Sequence, residues 1–349
     1  MDKAHPTQAH AAPGHAAPAT GAPQGVKPHM RSLPLCVGTR GSPLAVWQTR
    51  HFLGLLTTFC PVLRSLDVFE EHIIRTTGDA TQAANTRLAD IGGKGLFAKE
   101  IHEALVDHRI DFAVHSLKDL ETEMPPGIVL ACTLKREDAR DALILGPDCA
   151  KSDADPATPY AALPQGALIG TSSVRRQAQL LHARPDLRCE VLRGNVQSRL
   201  GRVRAGDMGA SLLAYAGLKR LGIGHEADIV LDPTIMVPAA GQGIVGITVR
   251  ESDTELHELL AAIEDPEAKA VAAAERALLH SLDGSCRTPI GGYARLHPDG
   301  TLHLTGLVAR ADGSFLIKRE RTGPAADAIR LGNDLGDELR ADSPRDIFA

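Results

Sequence analysis

The chain has 349 residues, 43% of them hydrophobic but only 3% aromatic, and a formal net charge of −5. That length holds two or three domains of ordinary size, with cores built from Leu, Val, Ile and Ala. No apolar run approaches the ~18 residues of a membrane span, and residues 1–32 lack the apolar stretch of a secretory signal and contain little of the Arg and Ser of a transit peptide, so a cytoplasmic protein is expected.

Residues 1–32 are mostly Ala, Pro, His and Gly. They cannot bury enough apolar surface to fold and read as a disordered tail, with His5, His10 and His15 solvated. Strand and helix signals then alternate. Leu35–Gly38 is strand-like. Ser42-Pro43 supplies an N-cap and a first-turn proline for a helix through about Thr58. Strands are predicted at 68–75, 111–114, 142–145, 167–170, 189–192 and 211–214, with helices between, one of them at 96–107. This alternation argues an α/β protein with ligands near strand ends and helix N-termini. Residues 146–165, rich in Pro, Asp and Ala, read as an inserted loop. The last ~85 residues change character: a long helix over 266–281, strands at 293–296 and 302–308, and a helix from about Ala325 give a separate α+β domain.

Charge is unevenly placed. Residues 170–205 carry eight Arg against two acids, a net +6 inside an acidic protein. Guanidinium forks suit carboxylates and phosphates, so a polyanionic ligand is the first inference. Gly38–Leu44, Gly170–Gln177 and Leu192–Arg199 each run into a helix start, where free N–H groups and the helix dipole favour anions. Asp90–Phe97 is a Gly-rich turn bearing Lys94 that does not satisfy the P-loop pattern, which leaves a lid or a plain turn. Asp111–Asp119 ends a strand in a polar loop, with Lys118 and Asp119 as candidate charged groups. The 170–205 stretch contains no Phe, Tyr or Trp, which argues against a single-strand nucleic-acid face.

The six cysteines, Cys36, Cys60, Cys132, Cys149, Cys189 and Cys286, form no C-x-x-C pair, so free thiols are expected and no metal site is indicated. Cys286 sits in a Gly-bearing loop beside Arg287, and a neighbouring cation favours the thiolate. Taken alone, the loop favours an ordinary cysteine over a reactive one.

Eight collinear segments carry a resemblance: Thr39–Ala45, Gly92–Phe97, Val114–Asp119, Gly170–Arg176, Leu192–Val196, Ala216–Arg220, Pro238–Gly243 and Gly284–Ile290. In this order they resemble the hydroxymethylbilane synthase (porphobilinogen deaminase) family from about Leu33 to the C-terminus. The resemblance implies two domains like type II periplasmic binding proteins, at 33–135 with 243–262 and at 138–238, and a smaller α+β domain at 266–349. It implies a transferase of tetrapyrrole and heme biosynthesis that couples four porphobilinogen molecules on a covalent dipyrromethane primer and then releases hydroxymethylbilane by hydrolysis. It places the primer on Cys286 by a thioether and the catalytic carboxylate at Asp119. By motif position, Lys118, Ser173, Arg175, Arg176 and Arg199 hold the cofactor, Arg40, Ser42 and Arg193 grip the substrate, and Lys94 lies in a lid loop. A monomer with no nucleic-acid or membrane partner is implied. Glu121 stands where the family often has Pro, Arg287 where it often has Gln, and Asp90 where some members have Lys. The competing reading is a non-enzymatic binding protein for an anionic solute.

Overall fold

A computed structural model describes Met1 and residues 33–64, 68–80, 95, 97–283 and 288–348. Of the expected tail, residues 1–32, all but Met1 lie outside the described residues. Three sheets organise the rest. The first has the order β2-β1-β3-β10-β4, from Leu35–Thr39 (β1), Phe69–Ile73 (β2), Phe112–Ser116 (β3), Ile128–Thr133 (β4) and Val245–Arg250 (β10). The second has the order β7-β6-β8-β5-β9, from Asp141–Leu145 (β5), Leu168–Gly170 (β6), Arg188–Glu190 (β7), Ala210–Ala214 (β8) and Ile229–Val230 (β9). In each sheet three strands run parallel, and the strand after them is antiparallel to both of its neighbours.

That antiparallel strand belongs to the chain's passage between sheets. Residues 134–140 lead from β4 into β5, and residues 231–244 lead from β9 back to β10. Two α/β lobes of the same strand pattern are therefore joined by two crossovers, as the two-lobed expectation required. The third sheet, β11-β12-β13, is antiparallel and formed by Ile290–Leu296, Thr301–Ala309 and Leu316–Pro324.

Local chemistry explains the helices. Ser42 caps Pro43–Phe59 (α1): its Oγ accepts from Ala45 N at 3.2 Å, and Pro43 fits the first turn. Gln48, Thr49, Phe52 and Leu56 bury one face, with Phe52 meeting Phe112 edge to face at 5.6 Å in the first lobe's core. Asp265 caps Pro266–Ser281, whose small residues let Ala328–Asp342 come close; a side chain at Gly332 would meet Ala274 O at 2.3 Å. Leu278, Leu304, Leu335 and Leu339 fill the space between these helices and the third sheet.

The strands at 128–133, 229–230, 245–250 and 316–324 are not among those that patterning predicts. Val245–Arg250 is buried at every position, so it lacks the alternation that marks a half-buried strand. Residues 146–165 hold only a short 3-10 turn at Lys151–Asp153, yet Cys149, Tyr160, Ala162 and Leu163 pack into the second lobe's core. This segment is a packed loop. Among the described residues five cysteines are free, with Cys132 and Cys149 buried, and no helix is long and apolar enough to cross a membrane.

Candidate active site

The nine predicted site residues that are described, drawn from four separate sequence segments, all line one cavity of about 690 Å³. Its walls come from both lobes and from the helix and loop of the third domain, including His280, Asp283 and Thr288. Lys94 and Cys286, with Asp90 and Arg287, lie outside the described residues. The two described residues that flank 284–287, Asp283 and Thr288, both line the cavity.

Asp119 ends a 3-10 turn, Leu117–Asp119, that follows β3 directly. A rigid strand thus delivers its carboxylate to the cavity, where the side chain is 35% exposed. Arg40 follows β1, the parallel neighbour of β3. Its Nε donates to both oxygens of Asp79 at 3.2 Å, and its Nη2 lies 2.5 Å from Oδ1. Its plane covers the Phe97 ring at 4.1 Å. Burial opposes the Asp79 charge, but the Arg40 fork and Thr76 outweigh it and hold this carboxyl below the usual range. Ser42 enters as the cap of α1, with its oxygen engaged by Ala45 N.

The second lobe supplies the basic wall. Ser173 caps Val174–Ala183, accepting from Arg176 N at 3.4 Å. Arg175 and Arg176 are buried, and both are held by Asp141 at the start of β5. Arg175 Nη1 donates to Asp141 Oδ2 at 2.8 Å and to Val237 O at 2.6 Å. Arg176 Nη2 donates to Asp141 Oδ1 at 2.8 Å, and its Nη1 to Leu212 O at 2.9 Å. One carboxylate against two guanidinia leaves a net positive charge behind the wall. Arg199 Nε donates to Gly194 O at 2.9 Å; burial, reinforced by nearby Arg176, pulls its pKa down to about 10. Arg193 reaches across the cleft, and its Nη2 donates to Gly78 O of the first lobe at 3.2 Å.

Lys118 faces this wall from the first lobe. Its Nζ donates to Gln242 Oε1 at 3.4 Å, while Gln242 Nε2 donates to Ala139 O at 2.7 Å and Asp141 Oδ1 at 2.8 Å. Burial first, then the Arg176 charge, lowers the Lys118 ammonium to about 8. Asp141 and Gln242, one at the end of each crossover, therefore tie the cationic residues of both lobes into one network. Neither was assigned a role from the sequence: Asp141 opens an apolar run, and Gln242 lies inside the Pro238–Gly243 motif.

Among the described residues, Cys36, Glu70 and His72 bring potential metal-ligand atoms within 4.8 Å of one another. They stand on β1 and β2 and do not line the cavity.

Comparison with known proteins places the chain. The family model described as "Porphobilinogen deaminase, dipyromethane cofactor binding domain" matches residues 35–258, and "Porphobilinogen deaminase, C-terminal domain" matches residues 269–341. The chain is 46% identical to the porphobilinogen deaminase of Paracoccus denitrificans over 90% of this chain and 96% of that protein. It is 44% identical to the chloroplastic porphobilinogen deaminase of Oryza sativa subsp. japonica over 89% of this chain and 85% of that protein. The Syntrophobacter fumaroxidans porphobilinogen deaminase is 42% identical over 89% of this chain and 96% of its own length. Since the two matches follow one another through both lobes and the third sheet, the chain belongs to the porphobilinogen deaminase family.

Proposed function

We propose that the chain is a hydroxymethylbilane synthase. It joins four porphobilinogen molecules head to tail on a dipyrromethane primer bound by a thioether to Cys286, releases ammonia at each addition, and frees hydroxymethylbilane by hydrolysis. The main support is that residues of separate motifs converge on one cavity in a chain of this family.

The cavity's charge suits a primer bearing several carboxylates. The lining residues from the second lobe include four Arg and no acid; the lining acids, Asp119, Glu121, Glu123 and Asp283, come from elsewhere. We assign Lys118, Ser173 and Arg199 to the primer's carboxylates. Arg175 and Arg176, already held by Asp141, add their field and their remaining N–H groups. Helix N-termini at Ser173 and Asn195 strengthen the same wall. When bound, the cofactor supplies the free α-carbon to which each substrate unit is joined.

Arg40, Ser42 and Arg193 orient the acetate and propionate of the incoming porphobilinogen. As the C–N bond breaks, its electron pair leaves with the ammonia nitrogen and the substrate ring becomes electron-poor. The Asp119 carboxylate steadies that positive charge and accepts the ring proton displaced by the new carbon–carbon bond. Lys94 belongs to a loop covering the cavity in this reading. The three sheets support a division into domains at 33–135 with 243–262, 138–238 and 266–349. A cytoplasmic monomer without nucleic-acid or membrane partners completes the proposal.

Intact mass spectrometry tests it. The purified chain should carry one dipyrromethane adduct and convert porphobilinogen to hydroxymethylbilane, while Cys286→Ser should carry none. An active protein with an unmodified thiol at position 286 would overturn the reading.

A further inference from the structure

Two polar side chains, buried His102 and half-buried Glu121, have no role in the mechanism above. His102 lies on Lys99–Val106 (α3, Thr77–Ala80 being α2), 3% exposed, and both its ring nitrogens lack a hydrogen-bond partner among the described residues. Glu121 lies two residues beyond Asp119, 14% exposed, with Oε2 likewise unpartnered. They are paired by position: His102 Nδ1 is 4.0 Å from Glu121 Oε1. Such groups are costly to bury unpaired.

We propose that His102 and Glu121 form a proton-sharing pair that positions the Asp119 turn, and that binding one proton switches this pair between a half-buried anion and a net-neutral carboxyl–imidazole unit. The inference deepens the deaminase reading and rests on it. The carboxyl is wedged in place: Gly95, at φ +74°, leaves room for it, since a side chain there would meet Glu121 Oε1 at 2.1 Å. The backbone is clamped from the third domain, where Arg276 Nη2 donates to Glu121 O at 2.7 Å and to Thr122 O at 3.2 Å. Any change in the pair's charge is thus applied to the segment that carries Asp119.

Burial favours one shared proton, against the Arg276 charge, which favours the Glu121 anion. His115 on β3 packs its ring 5.5 Å from His102 and shares a hydrogen bond with Thr248 Oγ1 at 3.0 Å. Arg276 faces Glu121 from the 266–281 helix, and Asp119 and Glu123 flank it on its own segment; Arg40 acts on His115 from just beyond β1. Burial raises the Glu121 carboxyl and lowers His102 to about 4, so both move toward neutrality. A proton on either member gives the same net charge, and the titration belongs to the pair.

The test follows the holoenzyme across pH by 15N NMR of the histidine rings, together with kcat/KM. In the wild type, the His102 nitrogens should shift in one step above the ordinary glutamate value of 4.5. That step should vanish in Glu121→Gln, and kcat/KM should lose the matching inflection while kcat at its plateau changes less. His102→Gln should move the inflection without abolishing it. Identical His102 titrations in wild type and Glu121→Gln would overturn the pair, as would a pH profile unaltered by both substitutions. The NMR signal does not depend on which substrate is turned over, so a failure here is distinct from a failure of the deaminase assignment.

Discussion

Arg40 Nη1 stands 3.9 Å from Asp119 Oδ2, while the rest of the same guanidinium is forked onto Asp79. Asp79 thus fixes Arg40, and Asp119 keeps a carboxylate that no close hydrogen bond to Arg40 satisfies. A partly exposed acid lining a basic cavity is suited to a positive charge that develops and then disappears.

Replacing that acid should separate chemistry from folding. Asp119→Asn keeps the size of the side chain and leaves the Arg40–Asp79 fork intact. Turnover is expected to fall by about 10²–10³, the usual effect of removing one preorganised electrostatic group. Stability should change by no more than ~0.5 kcal/mol, as for a surface substitution away from buried networks. Single-turnover ammonia release, read beside a denaturant melt, checks both. Near-normal deamination would remove Asp119 from the mechanism.

Lys118 gives the cavity an alkaline limit. Its ammonium titrates at about 8 because burial and Arg176 disfavour the charged form. Below that pH the cation can hold a carboxylate, and above it the attraction fades. Loading of dipyrromethane onto the apoprotein should therefore weaken as pH rises through about 8. Lys118→Arg should load without this limb, since an Arg side chain stays charged throughout the range. Equal pH dependence in both proteins, followed by adduct mass against time, would count against Lys118 as a carboxylate anchor.

Asp141 is a structural debt of the basic wall. It is fully buried and accepts from Arg175, Arg176 and Gln242. Asp141→Asn leaves two guanidinia without their counter-charge, and breaking a buried pair this way costs about 3–5 kcal/mol. Burial opposes its charge, but the two arginines prevail and hold its carboxyl well below the ordinary range. A depressed folded pKa stabilises the fold fully above the unfolded value, about 3.9, and this contribution is lost as pH falls toward the folded value. Denaturant midpoints of wild type and Asp141→Asn should therefore differ by a constant amount from pH 5 to 8 and converge below about pH 4.

The sequence motifs disclosed the cavity better than the scaffold that holds it. Arg40, Lys118, Asp119, Ser173, Arg175, Arg176, Arg193 and Arg199 sit where a strand ends or a helix begins, and those boundaries leave local signals: a capping Ser, a Gly, a clustered Arg. Asp141, Gln242 and Glu275 act over 19 to 139 residues of sequence separation, which no local pattern encodes. Strand β10 was hidden for a related reason. It is filled by residues buried on both faces, and its partners β3 and β4 precede it by more than a hundred residues. Glu121 was visible as a departure from the family pattern, but its relation to His102 needed the fold.

Glu275 joins the third domain to both crossovers. It is fully buried on the 266–281 helix. Oε1 accepts from Arg136 Nη1 and from Ala294 N, each at 2.6 Å; Oε2 accepts from Gly241 N at 2.7 Å and Arg136 Nη2 at 3.3 Å. Arg136 belongs to the first crossover, Gly241 to the second and Ala294 to β11. Gln is nearly the same shape but offers one acceptor oxygen where the carboxylate offers two, so its amide N–H₂ must confront a donor. Glu275→Gln should therefore lower unfolding stability by about 3–5 kcal/mol. Glu275→Asp keeps the charge but shortens the reach and should lose part of the effect. Neither substitution touches the thiol at 286, so intact mass should still show the adduct on the folded fraction. A Glu275→Gln melt that overlays the wild type would show that the Glu275 carboxylate does not hold the three domains together.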